Sequence, residues 1–333
     1  MSMKTSYLNQ EKIPLVIEPK RKGFAFADLL KWIEDNRDDI KKKILAHGGI
    51  LLRGFPIEGA QGFNEVIQTL KLGEQLNYIG GDSPRDKVQG KVYTSTEAPP
   101  KLKIPLHNEM SFIKHYPKHI YFYCATPAQK GGATILGDAR KIFKKVKPDV
   151  RARFEEKGLK YVSNYYRQNI LLDIVNKLQR SHKTWMEVFE TDQKEEVERR
   201  CRENEFSYKW HSHDWLQISQ KTAATIEHPQ TKEKIWFNQA HLYDFNPRLV
   251  GFWNWIGVKL IYMRPHTIMH EIFYQDGNLI SKKDLYHVID VLDDCTISYP
   301  WQKNDMAILD NVLLMHGRAP FSGKRKILTA LTK

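Results

Sequence analysis

The sequence predicts a mixed α and β protein with a jelly-roll core, flanking helices and a helical insertion. Short strand-like stretches recur along most of its 333 residues and are broken by turns of Gly, Pro and Asp. Helical periodicity is confined to early segments and a few later ones. Many short strands of this kind favour two packed sheets covered by helices. Because no repeat, low-complexity linker or composition boundary divides the chain, we expect residues 1–333 to form a single domain.

The helices are predicted from apolar side chains that recur at helical spacing. The predicted helical segments are 24–45, 61–72, 139–158 and 281–291. Residues 1–23 mix charge with proline and predict an N-terminal arm with one short strand at 15–17. A long, highly charged stretch at about 163–215 is poor in strand pattern and is interpreted as an insertion between core strands. Long loops often gate sites, so we predict that it acts as a lid.

The strands are predicted from β-branched and aromatic runs that end at turn residues. These runs are 50–55, 92–95, 105–110, 120–125, 133–138, 159–165, 206–210, 216–218, 235–237, 295–299, 306–310 and 325–331. They cover the chain from end to end, which is why a single core is expected.

The charge balance is basic, with 52 Lys and Arg against 39 Asp and Glu and a net charge of +13. The positive residues are scattered along the chain, and neither a zinc finger nor an RNA-recognition signature accompanies them. Solvated lysine surfaces explain such a pattern best, so nucleic acid is not the expected partner. The surplus still suits an anionic cosubstrate or an acidic partner protein.

The cysteines and the hydropathy pattern predict a cytoplasmic protein without a membrane span. Cys124, Cys201 and Cys295 are odd in number and widely spaced, which favours reduced, buried thiols over disulfides or a zinc site. The chain has no run of 18 or more apolar residues, and its first residues lack the apolar segment of a secretory signal.

The stretch Pro105-Leu106-His107-Asn108-Glu109-Met110 carries the strongest chemical signal. On a strand, His107 and Glu109 leave the same face because they lie two residues apart. A hydrophobic strand far downstream ends in His316. Two histidines and one carboxylate are the ligands of the facial triad in non-haem Fe(II) oxygenases, so these three residues are the predicted metal ligands.

Four stretches resemble the taurine dioxygenase/clavaminate-synthase-like superfamily of Fe(II)/2-oxoglutarate-dependent oxygenases. They are Val92-Tyr93-Thr94-Ser95-Thr96-Glu97, Ile104-Pro105-Leu106-His107-Asn108-Glu109-Met110-Ser111, Trp236-Phe237-Asn238-Gln239 and His316-Gly317-Arg318. The likeness covers roughly residues 30 to 333 and is strongest to the branch found in peptide natural-product pathways. It implies a double-stranded β-helix fold, Fe(II) as the metal, and 2-oxoglutarate and O2 as cosubstrates.

The resemblance also implies residues that bind 2-oxoglutarate. The family places an arginine on the strand after the distal histidine, and arginine is suited to hold a carboxylate with two hydrogen bonds. Arg325 is the candidate, with Lys326 and Arg318 as open alternatives because the interval from His316 is short. The hydroxyl that assists the same carboxylate in the family corresponds to Thr134.

The resemblance also gives weaker candidates for residues that contact the substrate. Glu97, Asn238 and Gln239 resemble substrate-pocket residues, although hydrogen bonding within the core explains Asn238 and Gln239 nearly as well. His115 and His119 have the spacing of a helical zinc pair, but Pro117 between them argues against that site.

Together these observations predict an enzyme that hydroxylates a free or carrier-tethered amino acid or a similar small molecule. The family's halogenases lack the carboxylate ligand, whereas Glu109 fills that position here, which favours hydroxylation. Desaturation and ring closure stay open. The alternatives are a protein- or nucleic-acid-modifying oxygenase, for which the basic charge argues, and a jelly-roll binding protein without catalysis.

Overall fold

The computed structural model describes residues 3–21, 23–77, 85–96, 98–167, 183–261 and 268–333. The strands are β1 (Met3–Tyr7), β2 (Leu15–Pro19), β3 (Gly49–Leu52), β4 (Lys87–Gln89), β5 (Val92–Thr94), β6 (Ile104–His107), β7 (His119–Thr126), β8 (Lys130–Gly131), β9 (Thr134–Asp138), β10 (Leu159–Tyr165), β11 (Ser207–Trp210), β12 (Leu216–Thr222), β13 (Thr225–Glu227), β14 (Lys234–Trp236), β15 (His270–Tyr274), β16 (Ile297–Tyr299), β17 (Met306–Asp310), β18 (Leu314–Arg318), β19 (Phe321–Ser322) and β20 (Lys326–Thr332). The helices are α1 (Phe26–Asp35), α2 (Arg37–His47), α3 (Gly59–Leu70), α4 (Ala139–Lys145), α5 (Pro148–Lys157), α6 (Trp185–Phe189), α7 (Lys194–Glu203), α8 (Ala240–Tyr243), α9 (Pro247–Val250), α10 (Phe252–Ile261) and α11 (Lys282–Asp294).

Two sheets form the predicted jelly-roll core. The large sheet has eight strands in the order β1-β2-β3-β17-β7-β20-β5-β4, and the small sheet has four in the order β16-β9-β18-β6. Strands distant in sequence are neighbours in both sheets, so neither sheet is built from one continuous segment of the chain. A third sheet has four strands in the order β11-β12-β10-β15 and shares no strand with the other two.

The central strands of the large sheet, β3, β17, β7 and β20, are buried on both faces, and their apolar residues do not alternate with polar ones. Leu51, Phe122 and Leu309 belong to the cluster that also contains small-sheet residues, so they fill the space between the two sheets. Their neighbours Ile50 and Ile308 belong to a second cluster, which contains the apolar faces of α1, α2 and α3. The early helices therefore cover the outer face of the large sheet and leave its inner face to the site.

Two predicted helices are each divided in the structure. The helix predicted for 24–45 breaks at Asn36, which leaves helical geometry (φ −125°, ψ 18°) and whose side chain donates to the Trp32 carbonyl. The helix predicted for 139–158 breaks at Lys147, whose extended backbone is the conformation that the following Pro148 requires. Both breaks are caused by local interactions of the backbone, which the spacing of apolar residues does not reveal.

The predicted lid at 163–215 is only partly described, since 168–182 lie outside the described residues. Its described ends belong to the third sheet, in which β10 and β11 both pair with β12. Trp185, Phe189 and Cys201 from its helices are buried in the main apolar cluster. These described parts are thus packed structure, and lid motion stays a prediction for the segment as a whole.

The predictions for the cysteines are confirmed, because Cys124, Cys201 and Cys295 are all free and buried. Within the described ranges, no helix combines the length and the apolar character needed to cross a membrane.

Candidate metal centre and adjoining cavity

The three predicted ligands meet at the edge between β6 and β18 of the small sheet. His107 is the last residue of β6 and pairs directly with His316 in β18. The prediction that Glu109 continues the same strand is wrong, because β6 ends at His107 and Glu109 lies in the turn that follows. The turn still brings its carboxylate back to the two imidazoles.

The ligand geometry fits a single metal ion. One possible ligand atom from each of His107, Glu109 and His316 lies within 4.8 Å of the other two, and all three residues are buried. His316 Nε2 is 3.5 Å from Glu109 Oε2, and the two imidazole centroids are 4.5 Å apart. Among the described residues, this is the group of histidine and carboxylate side chains that can hold a metal. Two nitrogens and one carboxylate oxygen suit Fe(II).

The protonation states also favour a cation. Burial, together with His316, lowers the pKa of His107 to about 3, so its imidazole is neutral. Its Nδ1 lies 2.9 Å from the Pro105 carbonyl, which fixes the proton on Nδ1 and leaves Nε2 as the ligand atom. Burial alone would raise the pKa of Glu109, but Arg85 and His316 outweigh it and hold the pKa well below its usual range.

Gly317 allows β6 and β18 to approach closely beside the ligands. A Cβ at this position would lie 2.3 Å from the Ile104 carbonyl oxygen and 2.8 Å from that of Pro105. Any side chain would therefore push the two strands apart and separate His107 from His316.

Asn311 holds the Glu109 turn, and the sequence reasoning did not identify it. The Glu109 N–H donates to Asn311 Oδ1 at 2.7 Å, and Asn311 Nδ2 donates to the carbonyls of Glu109 and Pro117. Asn108 donates in return to the Asn311 carbonyl. Asn311 follows Asp310 in the link between β17 and β18, so the position of Glu109 depends on the strand that carries His316. An asparagine five residues before the distal ligand was the available signal.

We expect Asn311→Ala to destabilise the protein by about 2–4 kcal/mol, because it leaves three buried backbone groups of the turn without their partner. Urea unfolding of the metal-free protein measures this loss. Asn311→Asp keeps the acceptor for Glu109 N–H but not the two donated bonds, so its loss of stability should be intermediate. Equal stability of Asn311→Ala and the parent would contradict the assignment.

A cavity between the sheets adjoins the ligands. Its lining includes His107 and His316, and its other lining residues are Arg85, Ser95, Thr96, Ile104, Phe122, Thr134, Gly317, Arg318, Arg325 and Ile327. Phe122 packs against His316, with the ring centroids 5.2 Å apart. The described part of this lining contains three arginines and no acid, so the cavity suits anions.

The three candidates for 2-oxoglutarate binding occupy different environments. Arg325 lines the cavity, and its Nε donates to the Gly132 carbonyl at 3.1 Å. Burial and the nearby Arg318 lower its pKa to about 10, and among the described residues no acid forms an ion pair with it. Arg318 instead donates to backbone carbonyls, including those of Ala98 and Pro99. Lys326, the first residue of β20, is exposed.

Thr134 lies on β9 opposite Arg318 and is buried in the same cavity. Its hydroxyl accepts a hydrogen bond of 3.0 Å from Trp301 Nε1. Neighbouring Tyr299 pairs with Thr134 across β16 and β9, and burial raises the pKa of its hydroxyl well above the usual range. Trp301 and Tyr299 were not predicted, since neither lies near the family motifs in sequence.

The predicted substrate residues have structural partners. Asn238 is buried and donates to the Ala224 carbonyl, while its Oδ1 accepts from Ala240 N–H. Gln239 donates to the Asn108 carbonyl, so it supports the ligand turn. Glu97 lies outside the described residues.

His241 forms a hydrogen bond with β6 and makes the free energy of unfolding depend on pH. Its Nε2 is 2.8 Å from the Leu106 carbonyl, and burial lowers its pKa from 6.5 to about 4. Between these values the unfolded chain binds the proton and the folded chain does not, so stability falls as pH falls.

We expect the metal-free protein to lose about 2 kcal/mol through His241 alone between pH 6.5 and 5. Urea unfolding across this range should show a flatter pH dependence for His241→Gln, which keeps the hydrogen bond but does not titrate. The same slope in both proteins would contradict this role.

Comparison with known proteins agrees with the geometry. The sequence model of the family described as "Taurine catabolism dioxygenase TauD, TfdA family" matches residues 9–332. The dapdiamide synthesis protein DdaC of Enterobacter agglomerans is 32% identical over 285 residues, which are 85% of this chain and 82% of DdaC. A clavaminate synthase-like protein of Arabidopsis thaliana is 27% identical over 290 residues, 86% of this chain and 82% of the plant protein.

Among solved structures, PvcB of Pseudomonas aeruginosa superimposes with a TM-score of 0.52 at 15% identity, covering 99% of this chain and 90% of PvcB. PvcB is described as an Fe, alpha-ketoglutarate dependent oxygenase from an isonitrile synthetic pathway. At this identity the likeness shows the fold, and it confirms the predicted jelly-roll class.

Proposed function

This chain belongs to the TauD/TfdA family and is an Fe(II)/2-oxoglutarate-dependent dioxygenase, and we propose that His107, Glu109 and His316 hold its iron. The observation that carries the assignment is the convergence of their ligand atoms within 4.8 Å at a buried position. The Pro105 carbonyl orients His107 and Asn311 orients the Glu109 turn, so both ligands are held in place before metal binds.

We further propose that Arg325 holds the distal carboxylate of 2-oxoglutarate and that Thr134 assists it. The support is a half-buried guanidinium that lines the cavity beside the ligands, with Thr134 in the same lining. Arg318 donates its hydrogen bonds to backbone carbonyls, and Lys326 is exposed at the start of its strand. The iron supplies oxygen activation when it is bound with this cosubstrate. The protein's part is to hold the ligands, fix the cosubstrate and limit water through the apolar walls of Phe122 and Ile327.

The proposed reaction is hydroxylation of an amino acid or similar small molecule in natural-product metabolism. Glu109 occupies the position that a halide would need, which favours transfer of oxygen. The likeness to a dapdiamide synthesis protein supports the substrate class. The substrate is free or tethered to an acidic carrier protein, which the net charge of +13 would attract. The free, buried cysteines fit a reducing compartment, and we propose the cytoplasm.

Mass spectrometry tests this reaction. The protein is incubated with Fe(II), 2-oxoglutarate, O2 and either amino acids or aminoacyl carriers, and we expect a product heavier by about one oxygen atom together with succinate. A chlorinated product, or oxidation confined to protein or nucleic acid, would overturn the proposal. A desaturated product would keep the substrate class and change the reaction.

A further inference from the structure

Trp301 contacts Thr134, the residue proposed above to assist the distal carboxylate of 2-oxoglutarate. The indole Nε1 donates a hydrogen bond of 3.0 Å to Thr134 Oγ1, and both side chains are buried. Thr134 lines the cavity together with Arg325, whereas Trp301 is not part of the described lining. Trp301 is therefore placed to influence a molecule in the cavity through the Thr134 hydroxyl.

The chemistry of the two groups fixes the direction of this hydrogen bond. An indole N–H can only donate, so Thr134 Oγ1 is the acceptor. A hydroxyl has one hydrogen that turns about the C–O bond, and the bond from Trp301 restricts the directions in which that hydrogen can point. The hydrogen stays available for another acceptor, which the carboxylate of a bound cosubstrate supplies.

Tyr299 is the competing acceptor for the Thr134 hydrogen. It pairs with Thr134 across β16 and β9, and the Thr134 hydroxyl opposes the rise in the pKa of Tyr299 that burial causes. A hydrogen bond to an ionised acceptor is roughly twice as strong as one to a neutral group. A carboxylate at the Arg325 end of the cavity should therefore take this hydrogen in preference to the Tyr299 hydroxyl.

A buried ion pair holds the loop that carries Trp301. Arg53, which directly follows β3, donates from Nη2 to Asp305 Oδ2 at 2.6 Å and to the Pro300 carbonyl at 2.8 Å. The Gln302 N–H donates to the same Asp305 oxygen at 2.8 Å. The side chains of this pair are 9% and 0% exposed. Because the pair binds the residues on both sides of Trp301, the indole is held in place before any cosubstrate enters.

We propose that Trp301 is a positioning residue for 2-oxoglutarate, which holds the Thr134 hydroxyl so that its hydrogen points to the distal carboxylate. This inference rests on the proposed role of Thr134 and extends it to a residue outside the cavity lining. A donor that is oriented in advance need not be ordered when the cosubstrate binds, so less entropy is lost on binding. The loop of Trp301 should therefore contribute to the affinity for 2-oxoglutarate.

A double-mutant cycle on cosubstrate binding tests this role. Trp301→Phe removes the indole N–H and keeps an aromatic ring, and Thr134→Val removes the hydroxyl and keeps the branched shape. Each variant is loaded with Mn(II), and 2-oxoglutarate is titrated calorimetrically in the absence of substrate. We expect Thr134→Val to weaken 2-oxoglutarate about 30-fold and Trp301→Phe to weaken it about fivefold. The double variant should match Thr134→Val within about twofold, because the indole acts through the hydroxyl.

Two controls separate positioning from general damage. Trp255→Phe removes an indole N–H that donates to the Phe245 carbonyl, and this variant should bind 2-oxoglutarate as the parent does. The Mn(II) affinity should be the same in Trp301→Phe and the parent, because the N–H that is removed binds Thr134 and not a metal ligand.

Two results would overturn the inference while leaving the role of Thr134 intact. Parent-like affinity for 2-oxoglutarate in Trp301→Phe, alongside weakened binding in Thr134→Val, would show that the indole does not position the hydroxyl. Single effects that multiply to about 150-fold in the double variant would show that Trp301 acts independently of Thr134, as a packing residue. Parent-like affinity in Thr134→Val would instead refute the proposed role of Thr134, and the inference with it.

Discussion

Replacing His316 by alanine should abolish both iron binding and turnover. The residue supplies one of three buried ligand atoms, and the opposing β6 strand offers no substitute donor within reach. Loss of a group that only hydrogen-bonds a metal ligand already lowers metal affinity by about 10–100-fold, so loss of the ligand itself should exceed that range. Glu109→Ala and His107→Ala should give the same result, because among the described residues no further histidine or carboxylate belongs to the proposed site.

Iron content by plasma emission spectroscopy and succinate release measure this effect. His115→Ala is the matched control, since His115 lies in the same loop but is exposed. It should keep about one iron per chain and full activity. Full iron occupancy in His316→Ala, in protein with an unchanged circular dichroism spectrum, would refute the ligand assignment.

Arg325→Ala should weaken 2-oxoglutarate about 100-fold while leaving iron affinity nearly unchanged. The expected size follows from two hydrogen bonds to a charged carboxylate, which contribute about 1.5–3 kcal/mol each before the remaining contacts compensate. Iron affinity should be unchanged because Arg325 contacts Gly132 and lines the cavity without contacting His107, Glu109 or His316.

The matched control is Lys326→Ala, which removes one positive charge at the adjacent, exposed position. Titration of 2-oxoglutarate into the anaerobic Fe(II) protein, followed by its charge-transfer absorbance, gives the 2-oxoglutarate affinity of each variant. Titration of Fe(II) into the metal-free protein gives the iron affinity. If Lys326→Ala weakened the cosubstrate and Arg325→Ala did not, the assignment on this strand would be wrong by one residue.

The alternation of the last strand explains why Arg325 and Lys326 differ. Ile327 belongs to the apolar cluster between the two sheets, and Leu328 belongs to the cluster beneath the helices. Arg325 lies two residues before Ile327, so the two side chains share one face, and both line the cavity. Sequence spacing from His316 left both residues open, because the short strand β19 and the register shift at Lys326 are not visible in a residue count.

The sequence by itself determined the fold class, the enzyme family and the identities of the candidate ligands. Short apolar runs predict the fold class locally, and the family follows from the resemblance of four stretches. The His-X-Glu stretch with a distant His316 is a chemical pattern that few other functions require. The same reasoning correctly expected free, buried cysteines.

The tertiary structure decided which polar side chains serve the site. Asn238 and Gln239 looked like substrate residues, but their hydrogen bonds join them to the Ala224 and Asn108 carbonyls. Neither Arg85 nor Asn311 was identified from the sequence, yet both form hydrogen bonds with Glu109 in the structure. A side chain's role depends on which neighbour satisfies its donors and acceptors after burial. That neighbour is set by strand pairing between residues as far apart as His107 and His316, which local sequence does not encode.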